Sequence, residues 1–138
     1  VAVAGTYYLH SLSWSWLSVL IGLCPGLISV GILIVNNIRD VKEDAQSGKR
    51  TLVVRLGVPF MRWVYVSVLV LALCLPIGYA WVSQTHLAVL GLLVGLFFVY
   101  PLSKSVFRDE GRILNQTLAK TGAFLVVFTA LFSITWFL

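Results

Sequence analysis

Three long runs without charged residues restrict what this chain can fold into more than any other feature. They cover residues 1–38, 63–103 and 121–138. A helix needs about 20 apolar residues to cross a bilayer, so the first two runs exceed one crossing and the third is just long enough. The second run must fold back on itself. The sequence therefore predicts an all-α, polytopic transmembrane bundle with about four spans.

The composition supports the same class and excludes others. Hydrophobic residues make up 59% of the chain, charged residues only 11%, and the mean hydropathy of +0.97 lies far outside the range of soluble globular domains. The net charge of +5 could suggest nucleic acid, but the bases lie in two segments without interleaved aromatic residues. We therefore expect no nucleic-acid partner, and we expect the lipid bilayer and anionic ligands to explain the charge.

The distribution of lysine and arginine predicts the topology. Six of them lie in 36–62, four in 104–120 and none in the turn at 82–86. This alternation is typical of hairpinned helices whose basic loops face the cytoplasm. We predict a fifth, partial span at 1–12 that begins upstream, four full spans and two cytoplasmic loops: spans 13–35, 63–82, 87–102 and 118–138, and loops 36–62 and 103–117.

A polar segment at 36–57 holds three of the five acids and five of the ten bases. If the first span continues as a helix, four of its side chains share one face: Asn36, Asn37, Asp40 and Asp44. The same geometry directs Arg39 and Lys42 elsewhere and pairs Arg39 with Glu43 at i,i+4. This segment is where we expect the polar chemistry of the protein.

Two carboxylates at i,i+4 repel each other, so a cation should lie between Asp40 and Asp44. Magnesium suits such an incomplete set of ligands, because it takes one or two carboxylates together with waters and substrate phosphates. Lys49 and Arg50 follow a Gly48 turn and could neutralise a polyanionic ligand. The alternative is a hydrated basic loop whose acids serve solubility, and the spacing alone does not decide between the two.

The segment also resembles a known motif. The matching residues, in order and with their spacing, are Asn36-Asn37-Ile38-Arg39-Asp40, Asp44, Gly48-Lys49-Arg50-Thr51-Leu52 and Arg55-Leu56-Gly57. They resemble the second aspartate-rich motif of the UbiA-type membrane prenyltransferases, and most of all the branch that prenylates 1,4-dihydroxy-2-naphthoate in menaquinone synthesis. Weaker similarities to that branch lie at Gly5–Leu9, Leu114-Asn115 and Thr121-Gly122.

The resemblance implies a bundle of nine helices in which two aspartate-rich motifs hold Mg²⁺ and a polyprenyl diphosphate at the cytoplasmic side. It implies that Asp40 and Asp44 are the catalytic and metal-binding residues. The residues it implies for diphosphate binding are Asn36, Asn37, Arg39, Lys49 and Arg50. The first motif does not occur in this sequence, so we expect 1–138 to be the C-terminal half of the domain, partnered by missing N-terminal helices. A bacterial inner membrane is the expected location.

Other hypotheses remain open at this stage. The acceptor could be 4-hydroxybenzoate, homogentisate or a chlorophyll-type ring, or the chain could be a non-catalytic helical subunit. A transporter or channel is disfavoured, because no charged residue lies deep in a predicted span. We interpret 108–112 as mainly a solvated loop, with coverage of the site as the alternative. We interpret His10 and His86 as interfacial, and Asn115 and Thr121 as residues that cap or pack the last helix. Five glycines are spaced for close packing and should let exposed helix faces dock with the missing upstream helices: Gly22, Gly26, Gly31, Gly91 and Gly95.

Overall fold

The computed structural model describes residues 2–137 and contains no strand within that range. Seven α-helices follow one another along the chain: α1 Ala2–Ser11, α2 Trp16–Arg39, α3 Val41–Gln46, α4 Leu52–Leu56, α5 Val58–Ser83, α6 Leu96–Arg108 and α7 Leu114–Phe137. Two 3₁₀ helices precede α6 and α7, at Leu87–Gly95 and Gly111–Ile113. The predicted all-α bundle is confirmed.

Four helical segments are long and apolar enough to cross a membrane: Trp16–Arg39, Val58–Ser83, Ala88–Arg108 and Gly111–Phe137. They match the four predicted spans in number and order, but the four ends next to the charged segments, at 39, 58, 108 and 111, lie several residues further into those segments. Charge does not end a helix, because the backbone hydrogen bonds continue until a cap or turn interrupts them. The last predicted span ended at residue 138, which lies outside the described residues.

The expected loop 36–62 contains two short helices instead of irregular chain. Thr51 begins α4, since its side chain accepts a hydrogen bond from the Val54 N–H at 3.3 Å. Gly57, with a φ of +84°, ends α4, and Pro59 lies in the first turn of α5. Proline is tolerated in that first turn because its missing N–H would have no helical partner there.

Helix α2 packs against α5 and α7 to form the core. Three of the five expected glycines have a side chain close to where a Cβ would lie: Gly22, Gly31 and Gly95. At Gly95 the added carbon would lie 2.7 Å from Leu73 Cδ2, so only glycine fits without movement. Gly26 and Gly91 have no such neighbour within 4 Å in the described structure, and the docking of their helix faces with helices outside the chain stays a prediction.

Hydrogen bonds fix the two ends of the bundle. At one end Arg39 bonds Asn115 and Arg62 bonds the Asp109 carbonyl, so both charged segments lie together. At the other end His86 Nδ1 lies 2.8 Å from the Trp136 carbonyl oxygen, and the two rings stack. This arrangement agrees with a hairpinned bundle that has all its basic segments on one side.

Candidate functional site

The candidate site begins where α2 ends. Asp40 has φ −95° and ψ 6°, which interrupts the regular helix for one residue. The hydrogen bonds nevertheless continue at i,i+4, from Asp40 N–H to the Asn36 carbonyl at 3.1 Å and from Asp44 N–H to the Asp40 carbonyl at 2.9 Å. Asp40 and Asp44 therefore stay one helical turn apart, as the sequence predicted.

A bidentate ion pair joins Arg39 to Asp40. The guanidinium donates from Nε to Oδ1 and from Nη2 to Oδ2, both at 2.6 Å. These hydrogen bonds, and next to them the charges of Arg39 and Lys49, hold the pKa of the Asp40 carboxyl below its ordinary value. The prediction that Arg39 points away and pairs with Glu43 is wrong. The two residues are adjacent in sequence, and the long Arg39 side chain reaches the carboxylate of its neighbour and not that of Glu43 one turn away.

Asn115 completes the surroundings of Arg39. Its Oδ1 accepts a hydrogen bond from Arg39 Nη1 at 2.9 Å, across 76 residues of sequence. Asn115 is the second residue of α7, so this contact brings the start of the last helix to the candidate site. The sequence predicts for Asn115 only a role in capping or packing the last helix. Its resemblance to the family, as part of Leu114-Asn115, was the one feature of the sequence that could have indicated this role.

Asp44 is paired with a different basic residue. Its side chain is only 9% exposed and accepts a hydrogen bond from Lys49 Nζ at 3.1 Å, while the Lys49 side chain is 68% exposed. Gly48, with a φ of +74°, allows the turn that brings Lys49 back toward Asp44. Each aspartate thus has its own basic partner, where the sequence had predicted a single cation between the two.

The remaining predicted residues make no specific contacts in the described structure. Asn36 and Asn37 are half-buried in the last turn of α2, and neither side chain makes a hydrogen bond with any residue from 2 to 137. Arg50 is exposed and has no ion pair within the same range. Their amide and guanidinium groups therefore remain available to a ligand.

A polar cavity of about 420 Å³ opens beside Asp40. Its lining comes from the end of α2, from α3, from the second charged segment and from α7: Arg39, Asp40, Glu43, Gly111, Arg112 and Asn115. Asp44, Lys49 and Arg50 do not line it. The interpretation of 108–112 as mainly a solvated loop is thus incomplete, because Gly111 and Arg112 form one wall of the cavity. Arg112 is not among the predicted diphosphate-binding residues, and its position agrees with the alternative that this loop covers the site.

The donor set fits magnesium better than a metal that needs a closed protein cage. Within residues 2–137 no three side chains from His, Cys, Asp and Glu come together to hold a metal. The sites typical of zinc, which have at least three protein ligands, are therefore not formed by this part of the chain. Carboxylates with free amides nearby match the incomplete shell that Mg²⁺ fills with water and phosphate oxygens.

These features define a class: an integral, multi-pass helical membrane protein with a polar cavity of paired carboxylate and guanidinium groups at one end. The model of the UbiA prenyltransferase family matches residues 1–113, which is most of the chain. The chain therefore belongs to the UbiA prenyltransferase family.

Individual relatives agree with that assignment. The chain is 38% identical over 136 residues to a 1,4-dihydroxy-2-naphthoate octaprenyltransferase of Mycobacterium leprae, covering 92% of this chain and 42% of the relative. It is 32% identical over 127 residues to the enzyme of the same name from Mycobacterium tuberculosis, covering 92% and 43%. The chain thus spans less than half the length of these relatives. No solved structure gives a significant match.

Proposed function

We propose that this chain is the C-terminal half of a membrane enzyme that transfers a polyprenyl group from polyprenyl diphosphate to 1,4-dihydroxy-2-naphthoate. The product would be demethylmenaquinol, the reduced form of demethylmenaquinone. The single observation that supports this most is the polar cavity at Asp40, where carboxylate, guanidinium and amide groups meet at the basic end of an apolar bundle. The names of the two mycobacterial relatives support naphthoate as the acceptor.

In this proposal Asp40 and Asp44 hold Mg²⁺, which would neutralise negative charge on the diphosphate as it departs. Arg39 holds Asp40 ionised through its bidentate contact and presents positive charge to the cavity. Arg112 also lines the cavity and adds a second guanidinium for phosphate oxygens. Lys49 and Arg50, with Asn36 and Asn37, do not line this cavity and would supply further donors to the diphosphate.

The reaction requires charge to move onto the diphosphate. Its bond to the allylic carbon breaks, and the electron pair leaves with the diphosphate oxygen. The electron-rich naphthoate ring then attacks the allylic carbon, and the carboxylate is lost as carbon dioxide. Positively charged groups fixed beside the departing oxygen stabilise the charge that develops there, and this is the principal contribution that we assign to the cavity.

The rest of the enzyme is part of the same proposal. Because the chain covers 42% and 43% of its mycobacterial relatives, we propose that a first aspartate-rich motif lies on helices outside it. The two motifs would face each other from the cytoplasmic side of a bacterial inner membrane. The basic segments gathered at one end of the bundle support that orientation.

Membranes that contain the full-length protein provide the test. They are supplied with polyprenyl diphosphate and, in separate reactions, with dihydroxynaphthoate, 4-hydroxybenzoate or homogentisate, with Mg²⁺ or with a chelator. We expect a prenylated product and release of carbon dioxide from dihydroxynaphthoate, and none in the presence of the chelator. Preferential prenylation of another acceptor would refute the proposed substrate, and absence of any product would refute the function.

A further inference from the structure

A second cavity, of about 270 Å³, lies on the other side of Arg39 from the first. The two cavities share Arg39 and Gly111 as lining residues. The second cavity differs in character, because it combines apolar residues with basic groups and one acid: Ile38, Val41, Val58 and Pro59, with Lys42 and Arg62, and Glu110. The function proposed above makes no use of it.

Arg62 is the least satisfied polar group in this cavity. Its side chain is only 15% exposed. Nη2 donates to the Asp109 carbonyl at 3.2 Å and lies 3.8 Å from Glu110, whose side chain is 77% exposed. Nε is buried and has no acceptor within the described residues. Buried donors without acceptors are rare in native proteins, so the position calls for an acceptor that the chain itself does not supply.

The charges around the cavity favour an anion as that acceptor. Arg39 is already paired with Asp40. Lys42 is exposed and makes no ion pair within residues 2–137, so it and Arg62 outweigh the single carboxylate of Glu110. The cavity volume lies near the lower end of the roughly 300–1,000 Å³ of typical ligand pockets. A small, rigid anion with an apolar body fits such a site, whereas a polyprenyl chain does not.

We propose that this cavity binds a small aromatic carboxylate, with Arg62 Nε donating to a carboxylate oxygen and Lys42 adding positive charge. The apolar side chains of Val41, Val58 and their neighbours would contact the ring. This inference rests on the proposed function in one respect: the carboxylate would be that of the acceptor. The shared wall at Arg39 would hold the acceptor beside the cavity that we assign to the diphosphate.

Direct binding tests this site without any measurement of prenyl transfer. The probes are 1-hydroxy-2-naphthoate and 1-naphthol, which differ in the carboxylate, measured by calorimetry with the purified full-length protein. We expect Arg62→Gln to weaken naphthoate binding about ten- to a hundred-fold, the range expected for a charge-assisted hydrogen bond. Naphthol binding should change less than twofold, because it offers no carboxylate to Arg62.

Three further variants distinguish a loss of naphthoate binding from a loss of folding. Lys42→Gln, on an exposed residue, should weaken naphthoate binding several-fold with no change in thermal unfolding. Arg108→Gln, an exposed arginine that lines neither cavity, should bind both probes as the wild type does. If Arg62→Gln lowers the melting temperature, Arg62→Lys, which keeps the charge and removes Nε, should still bind naphthoate more weakly than wild type.

Two outcomes would overturn the inference, and a third would separate it from the proposed function. Equal loss of naphthoate and naphthol binding in Arg62→Gln would show a structural role for Arg62 only. Phosphatidylglycerol in nanodiscs could compete with naphthoate for the wild-type protein. If that competition disappears in Arg62→Gln, the anion site belongs to a lipid headgroup. Normal naphthoate binding by a protein that prenylates no naphthoate would refute the proposed function and leave the binding site standing.

Discussion

A buried hydrogen bond between α5 and α7 allows a quantitative prediction about what holds this bundle together. Tyr65 and Thr121 are both fully buried, and their hydroxyl oxygens lie 2.8 Å apart. The Thr121 hydroxyl also donates to the Thr117 carbonyl at 2.7 Å. A hydroxyl has one hydrogen, so Tyr65 must be the donor and Thr121 the acceptor in the contact between helices.

Single substitutions at Tyr65 and Thr121 should therefore lower the free energy of unfolding by different amounts. Tyr65→Phe removes the donor and leaves the Thr121 hydroxyl bonded to Thr117, so we expect it to lower the free energy of unfolding by about 0.6–1.5 kcal/mol. Thr121→Val removes the acceptor and leaves the buried tyrosine donor unsatisfied, which costs about 1–3 kcal/mol. In the double variant no buried donor lacks an acceptor. The double variant should therefore lower the free energy of unfolding by no more than Thr121→Val alone.

Unfolding in mixed detergent micelles, followed by tryptophan fluorescence and circular dichroism, gives these free energies. Thr129→Val is the matched control, because Thr129 is exposed on the same helix and bonds only the Leu125 carbonyl. It should cost less than about 0.5 kcal/mol. If the double variant costs the sum of the two single variants, the assignment of Tyr65 as donor to Thr121 is refuted.

Three further predictions concern topology, ionisation and assembly. In a cysteine-free background, cysteine at Ser47 should react with an impermeant reagent only from the cytoplasmic side and cysteine at Ser83 only from the other, and labelling of both from one side would contradict the bundle. Because Arg39 lowers the pKa of Asp40, the stability from their pair should be complete above about pH 4 and lost as the pH falls through the lower folded pKa. Arg39→Gln should raise the pKa of Asp40, followed by infrared spectroscopy of its carboxyl group. An unchanged pKa would contradict the assignment of Arg39 as the cause of the shift. Residues 1–138 alone should give no prenyl transfer, whereas co-expression with a separate N-terminal half should restore it; activity of 1–138 alone would contradict the proposed half-site.

The number and order of the spans could be predicted because charge-free runs of about 20 residues have few alternatives in a membrane. The ends of the spans could not be predicted from these runs. Helix α7 begins at Leu114, four residues before the predicted 118, since polar side chains there do not interrupt backbone hydrogen bonding. The 3₁₀ segment at Leu87–Gly95 also has no indication in the hydrophobic pattern, which lacks any polar residue to set a period.

The position of the candidate site in the chain could be predicted from the sequence, but the contacts among its residues could not. The spacing of Asp40 and Asp44 survives in the structure because the i,i+4 hydrogen bonds persist through the end of α2. The partners of Arg39 are its sequence neighbour Asp40, reached through side-chain rotation, and a residue 76 positions away. Neither is encoded in local spacing. For the same reason the contribution of Gly111 and Arg112 to the cavity became evident only from the packing of α7 beside α2.

Prenyl transfer by variants of the two acids that line the polar cavity tests the central claim most directly. Asp40 makes the bidentate contact with Arg39, whereas the Glu43 carboxylate makes no ion pair or hydrogen bond within residues 2–137. In the full-length enzyme at saturating Mg²⁺, Asp40→Asn should lower the rate of dihydroxynaphthoate prenylation by about 100-fold or more. Glu43→Gln should lower it less than about tenfold, because that carboxylate is assigned no metal or phosphate contact. Equal losses in the two variants, or a normal rate in Asp40→Asn, would contradict the assignment of Asp40 as the residue on which the site depends.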